Sequence, residues 1–115
     1  MKVTTHIVGI TSITLLLLSG CANKPTNPSQ ITSAYVSTIQ YEKYSCNRLS
    51  IEYNNLVRRE NILVNAQNER IKSSQVQEFW FGYGTGDGIE ASELANVRGE
   101  KGAVRKAMSI KGCKI

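Results

Sequence analysis

The 115-residue chain has one histidine, His6, one aspartate, Asp87, and one tryptophan, Trp80. Its two prolines, Pro25 and Pro28, stand close together, and from Ile31 to Ile71 there is neither proline nor glycine. No apolar run reaches the roughly 20 residues that a bilayer-spanning helix needs. The longest, Ile7 to Leu18, is interrupted by Thr11, Ser12 and Thr14. These scarcities exclude particular chemistries. A lone aspartate does not assemble a calcium loop, which takes several oxygen ligands. Few prolines with 41% apolar residues exclude a chain disordered throughout. What is present, 20% charged residues and a net charge of +5, suits one small domain.

Met1 and Lys2 give a short positive start, Ile7 to Leu18 an apolar core, and small residues follow. This pattern predicts a secretory signal peptide over residues 1–20. The run Leu18-Ser19-Gly20-Cys21 resembles the lipobox of bacterial lipoproteins. In that family lipid is attached to the cysteine thiol and the chain is cut just before it. The resemblance implies a lipidated Cys21 and a membrane partner reached through that lipid. Stable anchoring takes more than one acyl chain, at about 0.8 kcal/mol per buried CH₂. By resemblance to enterobacterial lipoprotein sorting, Ala22, where an aspartate is absent, implies the outer membrane with the domain in the periplasm. The mature chain would have 95 residues, no histidine and a side-chain charge of +4. Without histidine, Ser-His-Asp and Cys-His catalysis are excluded, and zinc and copper lose their commonest ligand. Glutamates interleaved with lysine and arginine read as solvated helix faces carrying pairs such as Arg48–Glu52 and Glu69–Lys72. The expectation is a non-enzyme with no cofactor, no metal and no catalytic residues.

With Cys21 assigned to lipid, Cys46 and Cys113 remain in an oxidising compartment where disulfides persist. Their bridge closes a long loop and contributes about 4 kcal/mol in the chain-entropy account. Residues 21–30, with both prolines and no large apolar side chain, read as a flexible tether. Apolar residues at Ile31, Tyr35, Ile39, Cys46, Leu49, Tyr53, Leu56 and Leu63 recur at helical spacing and predict a first helix over about 31–72. The Asn and Ser content puts any break near Tyr44–Asn47, so Ile31 to Ser45 either extends this helix or folds back on the pair. Leu94, Val97, Val104, Ala107 and Met108 predict a second helix over about 89–111, with Asp87 as its cap and Gly112 at its end. Gly99 and Gly102 weaken that helix unless another backbone approaches there.

The midpoint between Cys46 and Cys113 is 79.5, so antiparallel helices would turn in the aromatic and glycine-rich segment at about 76–88. The fold expected over 31–115 is therefore all-α: an antiparallel helical hairpin closed by a disulfide, behind a signal peptide and a tether.

The segment Phe79-Trp80-Phe81-Gly82-Tyr83-Gly84-Thr85-Gly86-Asp87-Gly88 lacks the Gly-Lys-Ser/Thr ending of a phosphate-binding loop and the preceding strand of a dinucleotide site. Its aromatics, Phe79, Trp80, Phe81 and Tyr83, are expected at a hairpin tip far from the tether, as a contact for a partner protein or a membrane interface. Arg98, Lys101, Arg105 and Lys106 form a basic face suited to solvent or an anionic envelope surface, and nucleic acid is not expected as a partner.

The C-terminal stretch also resembles a group of small proteobacterial envelope lipoproteins. The matching residues are Phe79-Trp80-Phe81, the glycine run, Glu93-Leu94-Ala95, Arg98-Gly99-Glu100, Ala103, Ala107 and Lys111-Gly112-Cys113. Here Gln75, Gln77 and Glu78 interrupt the apolar segment that such proteins carry before the glycines. Two function classes follow as expectations: a scaffold, accessory or binding lipoprotein, or an exclusion lipoprotein that blocks a phage, conjugation or lytic component.

Overall fold

A computed structural model describes residues 23–114; the expected signal peptide and Cys21 lie outside the described residues. Two helices dominate, α1 over Cys46–Phe81 and α2 over Ile89–Lys111, packed antiparallel. Short 3-10 turns at Pro28–Gln30 and Ile39–Tyr41 punctuate the segment that precedes α1. The fold is the all-α, disulfide-closed hairpin expected from periodicity and cysteine spacing.

The core is a seam between the helices. Leu49, Leu56 and Leu63 recur every seven residues along α1 and meet Leu94, Val97, Ala103, Val104, Ala107 and Met108 of α2. Each fully buried leucine or valine contributes about 1.5–3 kcal/mol. Above Leu63 the seam turns polar, with Gln67 and Ser74 the buried residues of α1. At the opposite end Cys46 and Cys113 are bridged, their Cα atoms 5.5 Å apart. Ion pairs tie the helices along their length: Arg70 to Glu90 at 2.9 Å, Arg98 to Glu60 at 3.0 Å, Lys101 to the same Glu60, and Arg59 to Glu93 at 3.6 Å.

α2 keeps the expected bounds of 89–111, whereas those of α1 correct the expected 31–72. α1 begins at Cys46, where the Ser45 hydroxyl accepts the Arg48 N–H at 3.2 Å, so the break falls within the expected Tyr44–Asn47 region. It then runs through the aromatic residues to Phe81, because nothing before Gly82 stops it. Gly82 takes φ 80°, a left-handed conformation that suits glycine, and donates its N–H to the Glu78 carbonyl at 2.8 Å. Asp87 does not cap α2; Gly88 occupies that position. Gly112 does end α2, with φ 71°. Glu69 and Lys72 pair at 3.2 Å, whereas Arg48 lies 3.8 Å over the Tyr44 ring instead of reaching Glu52.

Residues 23–45 are neither a helix nor, over 23–30, a loose tether. They form a strap folded back along the hairpin. Ala34 donates its N–H to the Ala95 carbonyl at 2.9 Å, and the strap crosses α2 at Gly99, where a Cβ would overlap the Ala34 carbonyl. Arg98 holds strap and helices together: Nε donates to Glu60 at 3.0 Å, and Nη1 donates to the Pro28 and Ile31 carbonyls, both at 2.6 Å. Tyr41 closes the lower end of the core, with its ring edge-on to Tyr44. The expected helical spacing of Ile31, Tyr35 and Ile39 was coincidental: Tyr35 is 93% exposed and Ile39 72%, while Val36 and Tyr41 turn inward.

Candidate functional site

Arg70 meets Glu90 in the first turn of α2, so the eleven residues of α1 beyond Arg70 project past the second helix by about 16 Å. Gly82 to Gly88 returns along this projection outside any helix, with Gly82 and Gly86 at positive φ, and Thr85 donates its N–H to the buried Ser74 hydroxyl at 3.0 Å. The expected turn over 76–88 is thus confined to the glycine segment, and Phe79, Trp80 and Phe81 form the last helical turn. The four aromatic residues are exposed: Phe79 by 81%, Trp80 by 72%, Phe81 by 71% and Tyr83 by 54%. Phe79 and Trp80 meet edge to face, centroids 5.3 Å apart.

The tip is not far from the segment expected as a tether; that segment is built into it. Gly86, with φ 67°, donates its N–H to the Asn23 carbonyl at 2.9 Å, and a Cβ at Gly86 would overlap the Asn23 side chain. Thr26 donates from its backbone N–H at 2.6 Å and its hydroxyl at 2.5 Å to the two oxygens of Asp87. Gln67, fully buried, donates its Nε2 to both the Thr26 carbonyl and Asp87 at 2.8 Å. Burial opposes ionisation of Asp87, but the bonds from Thr26 and Gln67, with the charge of Arg70, outweigh it and hold the carboxyl below its ordinary value. The hydrogen bond from Arg70 does the same for Glu90.

From Thr26, level with Gln67, to Asn23, level with Ser74 and Gly84, the strap therefore climbs towards the aromatic end as it is followed upstream. Lys24 and Pro25 lie beside Ser74, Gln75 and Glu78 of α1. The sequence reading did not find Asn23, Thr26, Gln67 and Ser74. A polar pair at Gln67 and Ser74, continuing the seven-residue leucine spacing with an offset, was the available signal that the seam ends in hydrogen bonds.

The basic face is also altered. Arg98 and Lys101 are engaged by Glu60 and by strap carbonyls, leaving Arg105 and Lys106 exposed. Burial opposes ionisation of Glu60, but the Lys101 and Arg98 bonds and charges hold it below its ordinary value. Among the described residues no group of three or more His, Cys, Asp or Glu side chains is placed to hold a metal, and no helix is long and apolar enough to cross a membrane. The chain matches no protein-family model, no curated protein and no solved structure.

Proposed function

We propose that the protein is a lipid-anchored component of the bacterial cell envelope with a non-enzymatic scaffold or binding role. One observation supports this above others. The first described residue, Asn23, lies level with Ser74 and Gly84 on the part of the rod that leads to the tip, and Cys21 is two residues upstream of it. A chain spans at most about 3.6 Å per residue, so a lipid on Cys21 attaches within about 7 Å of Asn23, on the tip side of the hairpin. The anchored hairpin then stands on its tip, with the disulfide about 54 Å away along α1. The four aromatics accordingly belong to the membrane-proximal end, and the outer helix faces and the disulfide end are what such an arm presents to other envelope components.

Mass analysis of full-chain protein extracted from bacterial membranes tests the anchor. The N-terminal peptide should begin at Cys21 and carry acyl mass, and Cys21→Ser should carry none. An unmodified Cys21 in the membrane-extracted protein would overturn the reading.

A further inference from the structure

Among the described residues eleven large apolar residues are more than half exposed; five of them, Val76, Phe79, Trp80, Phe81 and Tyr83, fall at the tip end, and Ile89 follows below it at the start of α2. The others, Tyr35, Ile39, Ile51, Ile62 and Ile110, are dispersed along the molecule. Isolated exposed apolar residues are ordinary on protein surfaces, whereas a contiguous group marks a contact. We infer that the aromatic tip is a second membrane contact, seating Phe79, Trp80, Phe81 and Tyr83 in the lipid headgroup region beside the lipidated Cys21 and holding the hairpin upright. This inference rests on the lipid-anchor reading for its geometry.

The arrangement of the aromatics identifies the occupant. A helix that docks in a protein groove presents residues three and four apart on one side. Phe79, Trp80 and Phe81 are consecutive, each rotated about 100° from the last, so they spread around the helix end. All are exposed together with Tyr83 on the returning loop. A fluid layer that surrounds the end of the rod covers all of them, whereas a partner on one side covers only some. Tryptophan and tyrosine favour the headgroup region, where an apolar ring and a polar atom are both accommodated. Asn23, the first described residue of the strap, lies against Gly84 and Gly86 of the loop that carries Tyr83.

Charge is not the attraction. Around the tip the described cations Lys24, Arg70 and Lys72 stand against Glu69, Glu78, Asp87 and Glu90, so no basic excess faces the headgroups. The contact therefore depends on apolar burial and is insensitive to salt and to the fraction of anionic lipid.

Trp80 is the sole tryptophan and reports directly on the contact. Full-chain protein extracted from bacterial membranes is reconstituted into vesicles of phosphatidylethanolamine and phosphatidylglycerol, with and without bromine on the acyl chains near the headgroup. Bromine should quench Trp80 emission at least twofold, equally at low salt and at 0.5 M salt. The double variant Phe79→Ser, Phe81→Ser, at exposed positions that do not support the core, should lose most of that quenching while keeping its helical circular dichroism. The mass of the N-terminal peptide is read from the same samples. Acylated Cys21 with unquenched Trp80 overturns the tip contact and leaves the anchor standing. Quenching without acylation upholds the tip contact and removes the anchor. Trp80 shielded from iodide in native membranes yet unquenched by brominated lipid would mean that a protein covers the tip, and would also overturn the inference.

Discussion

Gly99 and Gly102 are sequence neighbours on one helix with opposite roles, and their difference follows from a single missing methyl. At Gly99 the strap backbone fills the space a Cβ would take, whereas nothing lies within 4 Å of the corresponding position at Gly102. Helix propensity favours alanine over glycine by about 1 kcal/mol at either site. At Gly102 that preference acts unopposed. At Gly99 it is outweighed by displacement of Ala34 and loss of its bond to Ala95, a change of the overpacking kind that costs about 1–3 kcal/mol. Denaturant unfolding should therefore show Gly102→Ala more stable than wild type by up to about 1 kcal/mol and Gly99→Ala less stable. Equal shifts of the same sign in both variants would refute the close approach of the strap. In sequence both glycines read as helix costs unless another backbone approaches there. The sequence offers no means of choosing between them, because the strap does not announce itself in residue spacing.

At the scale of elements, the strap is the part least legible in sequence, for a physical reason. Helices α1 and α2 bury apolar side chains, and apolar spacing is what a sequence displays. The strap is held mainly by its own backbone groups: the Ala34 N–H, the Pro28, Ile31 and Thr26 carbonyls and the Thr26 N–H all find partners on the hairpin. Any residue type carries such groups, so a segment rich in Asn, Thr and Pro reads as a tether. Two carboxylates organise these bonds, Glu60 through Arg98 and Lys101 and Asp87 directly through Thr26. Both have folded values below their ordinary 4.5 and 3.8. A carboxylate so depressed adds stability that is present above its unfolded value and is lost as pH falls through the folded one. The melting temperature should hold steady from pH 7 to about 5 and fall below about pH 4, as Glu60, Asp87 and the likewise depressed Glu90 take up protons. The double variant Glu60→Gln, Asp87→Asn should be less stable at pH 7 and lose much of the acid slope. An unchanged acid slope would show that other groups govern the transition.

The whole molecule is a rod whose two ends are secured by different means, and the sequence displayed one of them. The disulfide end was legible because two cysteines remained for one bridge, and their midpoint placed the return of the chain near Phe79. Cross-helix partners keep to that register: Ser74 meets Thr85 and Arg70 meets Glu90, nearly equidistant from the midpoint. The exact turn is displaced towards the C-terminal side because non-helical chain covers more height per residue than a helix, so the seven residues 82–88 return what eleven helical ones climbed. The tip end relies instead on the polar set of Gln67, Ser74, Asp87, Thr26 and Asn23, with no buried apolar residue of α1 above Leu63. The two ends should therefore differ in their response to reduction. Removing the 46–113 bridge releases a long loop in the unfolded chain and should cost about 4 kcal/mol, a large part of the 5–15 kcal/mol typical of a small domain. Because Leu49, Leu56, Val104 and Met108 still pack, the helices should persist near the lower end, with faster amide exchange in the first turns of α1 and the last turns of α2. Exchange at the tip amides of Thr85 and Gly86 should change only by the global loss of stability. The measurement is hydrogen exchange on the Cys46→Ser, Cys113→Ser variant with denaturant unfolding alongside. A stability within about 1 kcal/mol of wild type would mean that the apolar seam alone holds the hairpin closed. Selective fraying at the tip would mean that the polar set depends on the clasp at the far end.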